Sequence, residues 1–285
     1  MNINPNNQIN SSAMPLGAPV DDVPESFSDS FRRLFALAEP VLLAEGDRIE
    51  VKPPSDLPAS FPRSIFSDFT IVDSRPECPP VDGLRRYNIT TSIRKPMLTL
   101  KGASPSRISE DLGSEFFLRS LYGVGDWLCV ASDKVRTKTQ PRDECLPLGS
   151  RLIVASPMIA KFGITNGWRV SQHTHLNTGR RRYFVTEFSE GSANSQAALI
   201  LYLRQKAPLT MVVSSGKRSL QAWWNVAEMG ERGLRDLYTT AVTLGANPAT
   251  WTRSRFVCLP QARRPETGST QTVLYFDPAK VSPNM

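Results

Sequence analysis

Short apolar runs alternate with amphipathic segments through the C-terminal half of the chain. The run at residues 183–188 (YFVTEF) combines aromatic and β-branched side chains, which favour strands. Apolar residues at helical spacing begin after Asn194 or Ser195 and recur over residues 234–244, with Gly245 at the C′ position of the second helix. Strands alternating with helices around one hairpin predict an α/β or α+β sheet with helices packed on it. Further strands are predicted at residues 127–131, 151–155, 209–213, 219–226, 255–259 and 272–276.

The N-terminal part of the chain lacks this regular alternation. Residues 1–27 are rich in Asn, Ser, Pro and Asp, a composition that predicts a disordered tail. A helix is predicted from Ser28, and the recurrent prolines of residues 51–80 indicate irregular extended chain. Residues 88–100 are predicted to form a strand broken at a proline, and residues 106–118 a short helix. The expected regions are the tail at 1–27, an N-terminal accessory region at 28–125 and a folded domain at 126–285.

Composition excludes several classes of protein. Apolar residues make up 40% of the chain and charged residues 21%, which is ordinary for a globular protein. No apolar run approaches the roughly 20 residues that a membrane-spanning helix needs. The N-terminus is polar and lacks the basic and apolar regions of a secretory signal. The four cysteines form no C-x-x-C pair, so we expect free thiols, a cytoplasmic location and no membrane partner.

Positive charge is concentrated in the predicted sheet domain. The formal net charge is +7, which permits a polyanionic partner such as DNA or RNA. Arg180, Arg181 and Arg182 directly precede a predicted strand, and Arg263 and Arg264 belong to a second basic group further along the chain. We predict that these five arginines contact nucleic acid.

The sequence SSGKRS, at residues 214–219, lies between two predicted strands. Gly216 permits close approach of a ligand to the backbone, while the hydroxyls and the two cations of the turn can bind phosphate. This is not a Walker A loop, because the GxxxxGK[ST] spacing is absent and a strand follows where that loop has a helix. The predicted phosphate or nucleotide site comprises Ser215, Gly216, Lys217, Arg218 and Ser219, with Arg253 and Arg255 from the second basic group.

Four motifs occur in order along this half of the chain: YFVTEFSE, SSGKRSLQAWW, LGANPATWTRSRFVCLP and QTVLYFDP. Their order and spacing resemble the archaeo-eukaryotic primase superfamily, in particular the primase-polymerase-like proteins of bacterial mobile elements and phages. The resemblance covers roughly residues 172–280. It implies an RRM-like primase sheet with flanking helices and a role in DNA replication as a nucleotidyltransferase or a relative of one.

The resemblance also implies which residues occupy the chemical positions. In the family, an acidic pair and a later Asp bind two divalent metals, and a Ser-x-His motif contacts the nucleotide phosphates; the metals stabilise the attacking 3′ oxygen and the departing pyrophosphate. Here Glu187 matches the first acidic position and Ser219 matches the serine. Ser189, Gln221 and Asn247 replace the second acid, the His and the Asp. Glu187 is thus the one metal ligand that remains, and Gln221 cannot shuttle a proton at neutral pH.

These replacements predict a degenerate primase-like module that binds nucleic acid or nucleotide phosphates, with catalysis impaired; whether it is still an enzyme stays open. One alternative is an active, divergent primase or polymerase that uses Mg²⁺ or Mn²⁺ at Glu187, Glu190 and Asp277. Another is a non-catalytic protein-interaction module, with replication proteins as candidate partners. The motif assignment requires one set of residues to cluster on a single sheet face beside Lys217: Glu187, Ser189, Gln221 and Asn247.

Overall fold

The computed structural model describes residues 75–281, apart from residues 110, 134, 146, 148 and 166–169, together with three short strands nearer the N-terminus. The chain divides into two compact units. The first contains β1 (Pro40–Leu42) and most of β2 (Arg48–Val51), which pair antiparallel. All other elements lie in the second unit. Its strands are β3 (Ile71–Val72), β4 (Trp127–Ala131), β5 (Thr137–Pro141), β6 (Leu152–Val154), β7 (Gly163–Ile164), β8 (Val170–Ser171), β9 (Tyr183–Phe188), β10 (Leu209–Ser214), β11 (Leu220–Asn225), β12 (Phe256–Cys258) and β13 (Val273–Phe276). Its α-helices are α1 (Gly83–Ser92), α2 (Pro96–Gly102), α3 (Ser114–Leu121), α4 (Ala193–Leu203) and α5 (Glu231–Thr243).

Four antiparallel strands form the central sheet, in the spatial order β13-β10-β11-β9. Strands β10 and β11 are the two arms of a hairpin, and β11 separates β10 from β9. Helix α4 therefore connects two strands that are not neighbours, which is the split β-α-β arrangement. The protein is of the mixed α/β class, as the sequence predicts.

Helices cover one face of the central sheet. Trp224 of β11 and Phe188 of β9 are buried there with Leu199 of α4 and Leu237 of α5. Burying a side chain of this size stabilises the folded state by about 1.5–3 kcal/mol. Helix α4 begins where the hydroxyl of Ser192 accepts a hydrogen bond from a backbone amide of its first turn. This layer is an apolar core that fixes the positions of the central strands.

A second antiparallel sheet, in the order β12-β6-β4-β5, covers the opposite face. Val185 and Trp223 of the central sheet are buried in one cluster with Leu128 of β4, Ile153 of β6 and Phe117 of α3. Trp223 and Trp224 are both fully buried, on opposite faces of the central sheet. The two sheets therefore pack face to face through this cluster. Polar side chains can lie along one edge of the interface between the sheets.

Residues 88–100 form helices, so the strand predicted for them is wrong. The side chain of Asp82 accepts a hydrogen bond from the amide of Arg85 and caps α1 (2.9 Å). Pro96 is the first residue of α2, where the amide hydrogen it lacks is not needed. The β-branched residues that favour a strand are accommodated because hydroxyls such as that of Thr91 donate to carbonyls one turn earlier.

The remaining predictions agree with the structure in most elements. The strands predicted between residues 127 and 276 are present within one or two residues at each end. Gly245 follows α5 with a positive φ of 91°, as its C′ role requires. Helix α3 begins at Ser114, eight residues later than predicted. Helices α1 to α3 belong to the same compact unit as the two sheets, while the predicted tail and the helix predicted from Ser28 lie outside the described residues.

Within the described part of the chain, no helix is both long and apolar enough to cross a bilayer.

Candidate functional site

Two polar residues end a row of buried side chains on the face of the central sheet that meets the second sheet. Glu187 of β9 lies directly opposite Gln221 of β11 in the strand register. Because side chains alternate along a strand, Glu187 shares its face with Val185, and Gln221 shares its face with Trp223. Strand pairing alone therefore places Glu187 beside Gln221.

The carboxylate of Glu187 is surrounded by hydrogen-bond donors. The Ser219 hydroxyl donates to Oε1 at 3.2 Å and the Gln221 amide to the same oxygen at 3.3 Å. The side-chain amide of Asn247 donates to Oε2 at 3.3 Å, and its backbone amide donates to the Glu187 carbonyl at 2.8 Å. The side chains of Ser219, Gln221 and Asn247, three of the positions predicted from the resemblance, therefore all donate hydrogen bonds to the Glu187 carboxylate. We call these four residues the Glu187 network.

The donors of the network are held in place by their other hydrogen bonds. Oε1 of Gln221 accepts a hydrogen bond from the backbone amide of Cys258 in β12 at 2.8 Å, which links the central sheet to the second sheet. Oδ1 of Asn247 accepts from the amide of Ala249 and caps the 3₁₀ helix Pro248–Trp251. Both amides consequently point their N–H groups at the carboxylate, and the network is an organised polar site.

Arginine adds positive charge to the network. Nη2 of Arg255 lies 3.6 Å from Oε2 of Glu187, and the two side chains are 31% and 19% exposed. A carboxylate with three neutral donors and one guanidinium leaves little room for a divalent cation, which requires several oxygen ligands. Among the described residues, no group of three or more His, Cys, Asp or Glu side chains is placed to hold a metal ion.

The other acidic candidates and Ser189 lie apart from the network. Glu190 is turned toward α1, where it pairs with Arg86 at 2.9 Å. Asp277 follows β13, on the far edge of the central sheet, and caps the 3₁₀ helix Pro278–Lys280. Ser189 is exposed just beyond the end of β9. Glu187 therefore lies beside the side-chain amides of Gln221 and Asn247. The carboxylates of Glu190 and Asp277 lie elsewhere.

The predicted phosphate turn uses its backbone amides internally. The amide of Ser215 donates to the carbonyl of Ser219, and the amide of Ser219 donates to the hydroxyl of Ser215. Gly216 has a φ of +74°, and a Cβ atom there would lie 2.8 Å from the Ser269 hydroxyl. Gly216 therefore allows the turn to pack closely against the loop at residues 259–272. Lys217 and Arg218 are exposed and remain as the charged groups of the turn.

A shallow cleft continues from the network along the boundary of the two sheets. It is lined by Arg181, Arg253 and Arg255, together with Tyr183 and Thr250 among others. The guanidinium of Arg181 lies 4.6 Å from the ring centroid of Trp251 and donates to the carbonyl of the same residue. Arg253 donates to the carbonyl of His175 at 3.4 Å. Carbonyl partners orient both guanidinium groups along the cleft.

The remaining predicted nucleic-acid contacts are distributed over different surroundings. Arg180 is exposed. Arg182 is paired with Asp126 in a largely buried ion pair and lies over the Tyr122 ring. Arg263 is exposed beside Gly268, and Arg264 lies inward and contacts Glu266. The predicted run at 180–182 thus contributes one residue to the surface, one to the cleft and one to an internal pair.

A second charged cluster lies near the network, and two of its residues, Arg151 and Glu266, are not predicted from the sequence. Arg151, directly before β6, and Arg264 both contact Oε1 of Glu266. Burial raises the pKa of the nearby Cys258 thiol to about 11; Arg264 lowers this pKa and Glu187 raises it, so both charges lie close to the same sulfur. No local motif marks Arg151 or Glu266, since they come from separate segments that only the fold brings together.

No family model, curated protein or solved structure matches this chain.

Proposed function

We propose that this protein is a primase-like module of a mobile-element or phage replication system, in which polymerase chemistry is impaired and binding of nucleic acid or nucleotide phosphates is retained. The observation that carries the proposal is the convergence of Ser219, Gln221 and Asn247 on the Glu187 carboxylate. These are four of the positions at which the resembled family places its chemistry. The order of the central elements along the chain, β-α-β-β-α-β, is that of an RRM-like sheet, but the last strand, β13, pairs with β10 and not with β9 as the RRM arrangement requires.

The donor set of the network does not suit a metal ion. Gln221 and Asn247 present N–H groups to Glu187, so their oxygens are turned away from the position that a metal ion would take. Two-metal catalysis needs several carboxylates to offset the cations, and Glu187 is the only one in the network. The residues present do not fit a Mg²⁺ or Mn²⁺ pair, and we derive no metal-dependent step.

The arginine-lined cleft supplies the binding chemistry that we assign to the module. Arg255 lies beside Glu187, Arg181 and Arg253 follow along the boundary of the sheets, and Lys217 is exposed on the nearby turn. Guanidinium groups bind phosphate through paired N–H donors, and a row of them can follow the backbone of a single strand. We therefore place phosphates of DNA, RNA or nucleotides in this cleft, in a protein that works in the cytoplasm.

Binding to a fluorescent oligothymidylate, followed by anisotropy over a range of salt concentrations, tests the proposal. We expect log K to fall linearly with log salt concentration, because binding displaces counterions from the strand. Arg255→Gln should weaken binding and reduce the magnitude of the salt slope by about 1, since one phosphate contact is lost. Arg119→Gln is the matched control, because Arg119 forms an exposed ion pair within α3. Absence of salt-dependent binding would refute the proposal.

A dinucleotide-synthesis assay with Mg²⁺ and with Mn²⁺ separates this proposal from an active polymerase. We expect no product above background with the natural sequence, because the network has one carboxylate. Product formation that Glu187→Ala abolishes would instead establish a working, divergent primase. Recovery of a stable protein partner, with no affinity for oligonucleotides, would favour the protein-interaction alternative.

A further inference from the structure

The cluster of Arg151, Arg264 and Glu266 joins two arginines to one oxygen of one carboxylate. Nη1 of Arg264 lies 3.4 Å from Oε1 of Glu266, and Nη1 of Arg151 contacts the same atom. The pKa of Glu266 is lowered by a hydrogen bond from its own backbone amide and further by Arg151, Arg264 and Lys217, so Lys217 also lies within electrostatic reach. Two guanidinium groups therefore contact a single carboxylate, and Lys217 follows Gly216 on the turn that packs against the same loop.

The two arginines are better fixed than the carboxylate. Side-chain exposure is 26% for Arg151 and 16% for Arg264, against 42% for Glu266. Nε of Arg151 donates to the carbonyl of Ser132 at 2.7 Å, which anchors the guanidinium to the second sheet. The backbone of Arg264 is closed into its loop by a hydrogen bond from its amide to the carbonyl of Ser269 at 2.8 Å. The two arginines are therefore held in place by the fold, and Glu266 is the most exposed of the three side chains.

This surface adjoins the Glu187 network. Arg264 and Glu187 both act on the Cys258 thiol, and the amide of Cys258 donates to Gln221 of the network. Lys217 lies two residues from Ser219, whose hydroxyl donates to Glu187. The cluster and the arginine cleft thus both adjoin the Glu187 network.

We propose that Arg151, Arg264 and Lys217 form a binding site for a phosphate group, and that Glu266 occupies this site as the protein's own competing anion. A phosphate group offers more oxygens and more charge than a carboxylate whose single Oε1 is shared by two guanidinium groups. Displacement of Glu266 by phosphate therefore needs only the outward movement of an exposed side chain. The proposal rests on the proposed function for the source of the phosphate, which is either a nucleotide or the backbone of a strand.

Glu266→Gln tests this site, because it removes the competing charge and keeps the shape of the side chain. We expect it to tighten binding by about threefold to tenfold, as the loss of one charge near a partly exposed site implies. Inorganic pyrophosphate, measured by calorimetry, represents the nucleotide source, and the labelled oligothymidylate represents the strand. Asp236→Asn is the charge-matched control, since Asp236 pairs with Lys206 between α4 and α5. Combining Glu266→Gln with Arg151→Gln should abolish the gain.

The outcomes separate this inference from the proposed function. Equal affinities for the Glu266→Gln and Asp236→Asn proteins, with both probes, would overturn the competing-anion site even if Arg255→Gln weakens oligothymidylate binding. A gain for pyrophosphate with no oligothymidylate binding by any variant would support the site and remove the nucleic-acid function. A gain that persists in the double variant would overturn the assignment of Arg151.

Discussion

The two faces of the central sheet are alike along most of their length and differ at one end. On the helix face, Phe188 is fully buried at the end of β9, and the Thr186 hydroxyl before it accepts a hydrogen bond from the indole N–H of Trp224 at 3.0 Å. On the opposite face, Val185 is buried, but the row ends in the partly exposed carboxylate of Glu187. The first face is complete as a core. The second carries, at its end, polar groups that packing does not require.

Removing the large side chains tests whether the two faces are packed equally well. Trp224→Ala should lower the free energy of unfolding by about 3–5 kcal/mol, because it leaves a cavity under the helices. Trp223→Ala should cost a similar amount between the sheets, since both rings are fully buried. Urea unfolding followed by circular dichroism measures both. A loss below about 1 kcal/mol for either variant would mean that the corresponding face is loosely packed.

Gly216→Ala tests how the polar end of the sheet is held. The new Cβ would lie 2.8 Å from the Ser269 hydroxyl and 2.9 Å from the Thr270 carbonyl, at a φ of +74°. We expect a loss of about 1–3 kcal/mol in the free energy of unfolding, from strain and the displacement of the loop. Gly83→Ala is the control, because a Cβ at this first residue of α1 meets open space, and we expect a change within about 0.5 kcal/mol. Equal effects of the two changes would contradict the packing of the turn against the loop.

Local patterns are sufficient for the strands of the central sheet, for β4, β6 and β12 of the second sheet, and for α4 and α5, whereas β5 is not predicted. Their apolar residues follow the period of the element, and Gly245 marks the end of α5 through the positive φ that glycine tolerates. The strand predicted for residues 88–100 is wrong, because β-branched side chains favour strands only on average. The N-cap at Asp82 and the packing of Ile89 against the core between the central sheet and its helices stabilise a helix there.

The candidate site could be predicted in part. Glu187, Gln221 and Asn247 were found from an ordered set of motifs, and the strand register explains why the first two meet. The partners of the arginines could not be predicted, because pairing between Arg151 and Glu266 depends on how β6 and a distant loop lie in the fold. The sequence likewise gives no sign that Gly216 packs against the protein's own loop.

Glu187→Gln bears most directly on the difference between the two faces, although its effect on stability is the smallest of the three. The amide keeps the shape and one acceptor oxygen, but it turns an N–H toward donors such as Asn247 and removes the charge facing Arg255. We expect a loss of about 1 kcal/mol in the free energy of unfolding, because the group is partly exposed and its neighbours can reorient. Removing the negative charge should also strengthen oligothymidylate binding several-fold at low salt, with the gain disappearing as salt increases. Unfolding measurements and anisotropy titrations on the same protein give both quantities. A loss of 3 kcal/mol or more, with no change in binding, would place Glu187 in the structural core and remove the distinction between the faces.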